Sequence, residues 1–415
     1  MDKICLVSFQ YGKEVNGGGE IHCKMLAERL SKYYDVDVIT TTVVDLRGIK
    51  KIYEEGVDEV DGIRVLRFDL QDCNEPEFWK IRKSYRWGRK VRRNLFRLGL
   101  LGAISQVHPK WDFMVEGERK TLLHHPLLST KMMDYFKEHG HQYKAIIPMC
   151  YPYPHTYFLS ELFPEKVIMI PTAHNEGDLY RSIYTHLFSK VYHIAFNTEE
   201  EKKLCKTAFG SAMAPSSVIG VGIELEEPLA DNYIAEKWNI KDDYVLYFGR
   251  ITAVKIGQII PWFLEFKQKY NHPSLKLVLT GRSYIDKVDH PDIIYTDFVS
   301  EAEKSTLIKH SSVVVNPSSL ESLSLLLIEA MSFGKEALVN GQCRVMRGHS
   351  IKSKGACTYY TGKNDFHKKL DQLLKRKTSQ ERKQKIQQYV SDNYDWNKII
   401  NSFVTLIDDI PQQAQ

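Results

Sequence analysis

Short apolar runs, each ended by glycine or proline and separated by segments with helical spacing, constrain this chain more than any other feature. Residues 4–9 form such a run, and a polar loop over 10–19 closes on Gly17, Gly18 and Gly19. Residues 20–33 then carry Ile21, Met25, Leu26 and Leu30 at helical spacing, and the next apolar run covers 36–41. A strand that is apolar on both faces is one buried inside a parallel sheet, and strand–helix–strand alternation is the signature of a doubly wound α/β fold. Further runs at 145–148, 167–171 and 194–197 continue the pattern. A second block predicts a strand over 244–248 ended by Gly249, a helix over 258–270, and a strand over 275–280 capped by Gly281. It continues with a strand over 312–316 ended by Pro317, a helix over 323–333 and a short strand over 337–340.

The chain has 415 residues, too many for one domain of about 150. Periodicity lapses between Pro215 and Pro228, where Gly220 and Gly222 intervene. The expected organisation is therefore two doubly wound domains, 1–217 and 218–395, with a helix over about 396–415 packing back on the first. Ligands of such sheets bind beyond the carboxyl ends of the strands, so two facing halves predict a site in the cleft between them. Hydrophobic residues at 43% and charged residues at 26% exclude collagen, coiled coil and disordered classes. No apolar run approaches the roughly 18 residues that cross a bilayer, and the run Ile4-Cys5-Leu6-Val7 is too short for a signal-peptide core, so a cytoplasmic location is expected. Seven cysteines without a C-x-x-C predict free, buried thiols rather than a zinc ribbon or a disulfide framework.

Three segments carry candidate chemistry. In Glu321-Ser322-Leu323-Ser324-Leu325-Leu-Leu-Ile-Glu329, two carboxylates stand eight residues apart across a helix start. The N–H groups of Ser322 to Leu325 offer an anion site, and a carboxylate such as Glu329 suits a ribose diol. Gly249-Arg250-Ile-Thr-Ala-Val-Lys255-Ile-Gly257 places a guanidinium and an ammonium on one strand-end loop, the pair that a departing diphosphate requires. Gly17 to Gly19 let a backbone approach a ligand closely, although neither G-x-G-x-x-G nor a P-loop is present. The bland alternatives are a dipole partner and a solvated helix residue for the two glutamates, solvated loop cations, and a surface turn.

In this order the motifs resemble those of glycosyltransferases with the GT-B fold, specifically the retaining family 4. That family's E-x7-E matches Glu321 and Glu329, its G-R…K-G loop matches Gly249, Arg250, Lys255 and Gly257, and its first glycine loop matches Gly17 to Gly19. A strand followed by a His, in Ile170-Pro-Thr-Ala-His174-Asn-Glu, also matches, and Asn197-Thr-Glu-Glu-Glu and the linker Val218-Ile-Gly-Val-Gly-Ile are near matches. The resemblance implies two Rossmann-like domains and a nucleotide diphosphate sugar as donor, with uridine the commonest base. Glu329 would hold the ribose and Glu321 would contact the donor sugar. Arg250 and Lys255 would bind the diphosphate together with the amides near Ser324. Gly18 and Gly19 would lie under the donor phosphates or the acceptor, and His174 would stand beside the transferring sugar. The implied reaction is sugar transfer to a glycan or lipid-linked acceptor with retention, without a metal, in bacterial surface polysaccharide assembly. This sequence departs from the family at the inserted Ile256, at Gly334-Lys335-Glu336 in place of Gly-x-Pro, and at Arg344 in place of Glu. Asp35-Val-Asp37 reads as a strand flank and His139-Gly-His141 as a turn, not as metal ligands. Alternative readings are a nucleotide-sugar epimerase of the same fold and a non-catalytic nucleotide-sugar binder. Nucleic-acid binding is not expected, because no RNA or DNA module is present.

Residues 80–101 contain nine Lys or Arg and no acid. Trp87, Val91, Leu95, Leu98 and Leu101 share a face at helical spacing, which predicts a basic amphipathic segment suited to an anionic membrane surface on the cytoplasmic leaflet.

Overall fold

A computed structural model describes residues 1–13, 15, 17–45, 50–376 and 378–411. The chain forms two compact units, residues 1–220 with 397–415, and residues 221–396. Positions 412–415, the end of the expected last helix, and positions 14 and 16 of the first glycine-containing loop lie outside the described residues.

In the first unit the strands are β1 (Lys3–Val7), β2 (Asp35–Thr41), β3 (Val43–Asp45), β4 (Lys50–Lys51), β5 (Gly56–Val60), β6 (Ile63–Phe68) and β7 (Ala145–Pro148). They continue with β8 (Ile168–Met169), β9 (His193–Phe196) and β10 (Ser216–Val218). The main sheet has the order β5-β6-β2-β1-β7, parallel except for the β5–β6 hairpin. Parallel bridges Ile146–Val167 and Met149–Ile170 carry the pairing on to the three parallel strands β8, β9 and β10. The β1 residues Ile4, Cys5 and Leu6 are wholly buried, as a central strand covered on both faces demands. The helix Trp396–Asp408 crosses the unit boundary, and its Ile399, Ile400, Phe403 and Ile407 are buried. The Tyr34 hydroxyl donates to Asp408 Oδ1 at 2.8 Å, tying the end of this helix to the first unit.

In the second unit the strands are β11 (Tyr244–Phe248), β12 (Lys276–Thr280), β13 (Ile293–Asp297), β14 (Val313–Asn316), β15 (Ala337–Asn340) and β16 (Thr358–Tyr360). All pair in parallel in the order β13-β12-β11-β14-β15-β16. Alternate residues feed two cores. Val245, Tyr247, Leu277, Leu279, Val313 and Val315 pack on one face, and Leu246, Phe248, Val278 and Val314 pack on the other. That double burial is why these strands read as continuous apolar runs.

The basic stretch 80–101 differs from the single amphipathic helix expected. It spans parts of three helices, Glu75–Ser84, Trp87–Arg97 and Leu101–Val107, interrupted at Tyr85 and at Gly99 with φ 74°. Leu95 and Phe96 pack against the core and Leu101 is buried, so the expected apolar face points inward except for Trp87 and Leu98. Arg92 is fully buried and donates to the carbonyls of Arg181 at 2.8 Å and Ala208 at 2.6 Å. The solvent-facing stripe is Trp87, Lys90, Asn94, Arg97 and Leu98. Among the described residues, no helix is long and apolar enough to cross a membrane.

Candidate functional site

The second unit gathers the E-x7-E and the cation loop at the carboxyl ends of β11 and β14. Gly249 leaves β11 at φ 128°, a conformation that favours glycine. The carbonyl of the following Arg250 accepts a hydrogen bond from the Tyr247 hydroxyl at 2.9 Å. Thr252 caps a single helical turn, Ala253–Ile256, its hydroxyl accepting from the Lys255 amide, and Gly257 ends the turn at φ 51°. The inserted Ile256 is absorbed in this turn and its side chain is buried in the core. Lys255 Nζ lies 2.7 Å from Glu321 Oε1, so the insertion does not carry the ammonium away from the E-x7-E.

The loop from β14 to the helix Leu325–Ser332 is clamped by Asn316. Its amide donates to Ser324 Oγ at 2.8 Å, and its carbonyl oxygen accepts from the Ser318 amide at 3.0 Å. Ser324 adopts φ 77° and caps the helix through Leu327. Its left-handed backbone is unusual for a residue with a side chain, and such positions collect at functional turns. The first-turn amides at Leu325 and Leu326 have no acceptor one turn earlier within the helix, the usual condition for an anion site. His349, buried, holds the preceding residue: its Nε2 donates to the Leu323 carbonyl at 2.9 Å, while Nδ1 receives the Tyr389 hydroxyl at 2.9 Å. Asn340 Nδ2 donates to the Pro317 carbonyl at 3.0 Å, fixing the other end of the loop.

Glu329 is buried, and its Oε1 meets Lys304 Nζ at 2.9 Å. Burial raises the carboxyl pKa, partly offset by Lys304. Burial pulls the Lys304 ammonium down, but Glu329 and Glu301 more than offset it and leave its pKa above the ordinary value. Glu336, at the family's proline position, is buried and serves structure: Arg382 Nη2 donates to it at 2.8 Å and Arg376 at 3.4 Å. Arg344 opens the helix Arg344–Lys352.

The first unit builds its own cluster. Gly18 and Gly19 start the helix Gly18–Leu30. A Cβ on Gly19 would come within 3.1 Å of Cys150 Sγ, and one on Gly17 would collide with the Glu20 carboxylate. Gly19 thus packs closely on Cys150, whereas the Glu20 carboxylate beside Gly17 ends a flexible side chain that can shift. The Thr172 hydroxyl donates to Cys150 Sγ at 3.0 Å, and these two residues hold φ of 49° and 69° just past β8 and β7. Positive φ costs on the order of 1–3 kcal/mol each and collects at functional turns. His174 Nδ1 donates to the Thr172 carbonyl at 3.0 Å, and Nε2 stands 3.8 Å from Glu176 Oε2. Beneath this loop lies Glu201 of the Asn197-Thr-Glu-Glu-Glu motif, buried and accepting from the amides of Ala173 and Asn197. Glu201→Gln leaves one of those amides without an acceptor and is expected to cost about 1–3 kcal/mol, read by urea denaturation. Asp37 of the D-x-D is engaged by Lys3 at 3.1 Å and by the Tyr143 hydroxyl at 2.7 Å, and residues 140–142 form a 3-10 turn.

The sequence reading located the two glutamates, the two cations and His174. It missed Lys304, His349, Asn316 and the role of Glu201. Only Glu201 carried a local signal, since an N-cap Thr followed by Glu three residues later is a capping pattern.

Residues 232–391 match the family model described as Glycosyl transferases group 1. An uncharacterized glycosyltransferase of Methanocaldococcus jannaschii is 24% identical over 365 residues, covering 81% of this chain and 80% of that protein. The sucrose-phosphate synthase structure from Thermosynechococcus elongatus superposes with a TM-score of 0.69 at 15% identity, covering 98% of both chains. HepE from Anabaena, solved with UDP and glucose, gives 0.62 at 13% identity over 98% of this chain and 100% of its own. Residues 232–391 are therefore similar to the glycosyl transferases group 1 domain, within a chain of the GT-B fold.

Proposed function

We propose that this protein is a retaining, metal-independent glycosyltransferase that moves a sugar from a UDP-linked donor to a glycan or lipid-linked acceptor. The observation that carries the reading is the second-unit constellation: Arg250, Lys255, Glu321, Glu329 and the first amides of Leu325–Ser332 at the carboxyl ends of one parallel sheet. Glu329 binds the ribose hydroxyls, and Glu321 both contacts the donor sugar and holds Lys255. Arg250, Lys255, Gly249 and the Ser322–Leu325 amides bind the diphosphate. In the reaction the bond from the anomeric carbon to the diphosphate oxygen breaks, and a bond to the acceptor hydroxyl oxygen forms on the same face. The hydroxyl proton passes to the departing diphosphate, whose charge the two cations stabilise. Gly18 and Gly19 line the approach in the first unit and His174 attends the transferring sugar. UDP in the HepE structure supports the choice of base.

The test is a panel of nucleotide sugars screened by thermal shift, followed by turnover of the best binder with and without EDTA. A donor that stabilises the protein supports the reading, because a ligand of the native state raises its melting temperature. Retained anomeric configuration and undiminished turnover in EDTA support the mechanism. No stabilisation by any nucleotide sugar defeats it, and activity lost to EDTA and restored by magnesium defeats the metal-independent part.

The same proposal includes peripheral attachment to an anionic membrane on the cytoplasmic side, as surface polysaccharide assembly requires. The exposed stripe of Trp87, Lys90, Arg97 and Leu98, with Lys83 and Arg86 beside it, provides cations and apolar groups together. Each cation contributes about 1 kcal/mol at such a surface. Charge reversal at Lys83, Arg86, Lys90 and Arg97, which spares buried Arg92, is expected to abolish sedimentation with phosphatidylglycerol vesicles at low salt. Equal sedimentation of wild type and variant rejects the stripe as the anchor.

A further inference from the structure

A cavity of about 210 Å³ opens in the first unit, lined in part by Arg82, Glu118, Tyr153, Glu176, Arg181 and Tyr184. Tyr153 follows β7 and Glu176 follows β8, so the cavity lies at the carboxyl ends of the strands, where sheets of this kind bind ligands. It adjoins the loop that carries His174, since Glu176 is a lining residue and its carboxylate is 3.8 Å from the His174 ring.

The lining sets Arg82 and Arg181 against Glu118, Glu176 and Asp178, so its hydrogen bonding rather than its net charge singles it out. The Asp178 carboxylate takes Arg82 Nη2 at 2.7 Å, Arg181 Nε at 2.8 Å and Arg89 Nη1 at 3.2 Å. One carboxylate thus serves three guanidiniums, and Arg181 and Arg82 hold its pKa well below the usual range against the effect of burial. Arg181 is buried with its side chain 4% exposed, and among the described residues neither Nη1 nor Nη2 has a hydrogen-bond partner. Glu118 Oε1 stands 3.9 Å from Nη1, beyond hydrogen-bond reach, and itself has no hydrogen-bond partner. The other Glu118 oxygen accepts from the Ile183 amide at 2.8 Å. Burial pushes the Glu118 carboxyl up to about 7, so it is only partly charged at neutral pH, and burial with Arg82 pushes His125 down to about 4, so that ring is neutral.

Buried polar atoms in native proteins nearly always find partners, and a forked guanidinium is shaped for a two-oxygen anion. An orphan fork beside an orphan carboxylate oxygen matches a molecule with an oxyanion and a hydroxyl a short distance apart. We infer that this cavity is the acceptor subsite and takes a sugar or polyol bearing an oxyanion, a phosphate or a carboxylate, on the Arg181 fork, with a ligand hydroxyl donating to Glu118. The assignment of the occupant as acceptor rests on the glycosyl-transfer reading. The oxyanion site itself rests on the geometry of the first unit alone.

The test is calorimetric binding of glucose 6-phosphate, glucuronate and glucose to the full chain, as wild type, Arg181→Lys and Glu118→Gln. Melting of each variant is followed with and without UDP. Wild type is expected to bind one of the two anionic probes at millimolar concentration or below and to bind glucose at least about tenfold more weakly, as loss of a charged hydrogen-bonded pair predicts. Preference for the phosphate or for the carboxylate identifies which oxyanion the acceptor carries. Arg181→Lys keeps the charge but loses the fork, and its affinity is expected to fall at least about tenfold with melting near that of wild type. Glu118→Gln keeps an acceptor for Ile183 but replaces the oxygen that receives the ligand hydroxyl with an amide nitrogen, and is expected to bind the anionic probe more weakly than wild type while keeping the preference over glucose. Equal affinity for glucose and the anions, no binding of either anion, or unchanged affinity in folded Arg181→Lys overturns the inference. Anion binding that depends on Arg181 in a protein that ignores every nucleotide sugar upholds the site while defeating the transfer reading.

Discussion

Alanine at both Arg250 and Lys255 is expected to lower kcat by about 10²–10³ or more, the loss typical of removing preorganised charge from a developing anion. The expectation follows from where the cations are built. Arg250 follows a glycine turn and its carbonyl is fixed by Tyr247, while Lys255 sits on a capped single turn with its ammonium 2.7 Å from Glu321. The Lys255 ammonium therefore does not have to be gathered from solvent when charge appears on the leaving group. Steady-state release of UDP, with melting temperature as the control for folding, reads the effect. Full turnover in a folded double variant removes the leaving-group role from this loop. Glu321→Gln offers an internal comparison: Lys255 loses its charged partner, so KM and kcat should both change if Glu321 positions the ammonium as well as touching the sugar.

Lys304→Met is expected to cost about 3–5 kcal/mol of stability, because it strands the buried Glu329 carboxylate without its partner. The effect should depend on pH with a definite sign. The pKa of Glu329 already lies above its ordinary value through burial, and losing Lys304 raises it further. A carboxyl whose folded pKa exceeds its unfolded value contributes a penalty that grows as pH rises above the unfolded value, about 4.3, and disappears below it. Urea denaturation should therefore show the variant close to wild type in acid and far below it at pH 8 and above. The double change Lys304→Met with Glu329→Leu should recover much of the stability, since an apolar pair can replace a buried ion pair. It should still fail to bind nucleotide, as should Glu329→Gln to the extent of about tenfold in UDP affinity. Stability that ignores both pH and Lys304 contradicts this account of the pair.

The strands read from the sequence were legible because they lie in parallel sheets buried on both faces. Nothing but a run of Val, Leu, Ile and aromatic residues satisfies that environment, and 244–248 and 337–340 were read to the residue. In contrast β5, antiparallel and mostly exposed, leaves no such run. Glu321 and Glu329 were legible because their spacing places them across one helix start. Lys304 was not, because its partner is 25 residues away on another helix and a lysine in Glu301-Ala-Glu-Lys304 looks like any solvated one. The basic stretch misled for the same reason. Arg82, Arg89 and Arg92 share a run with truly exposed cations, but their acceptors are Asp178, the Arg181 carbonyl and the Ala208 carbonyl, at least 89 positions later. Helical spacing orders side chains around an axis without saying which side the rest of the protein will cover.

The return of residues 397–411 to the first unit imposes an order on biosynthesis. The ribosome makes residues 1–220, then all of the second unit, and only afterwards the helix segment whose Ile399, Ile400, Phe403 and Ile407 complete the first. Until then Tyr34 lacks Asp408, and the surface that receives those four side chains is wet. The nascent first unit must wait, incomplete, until the second has been made, and a stalled or nicked chain lacking the last turns would expose that apolar seam to chaperones and proteases.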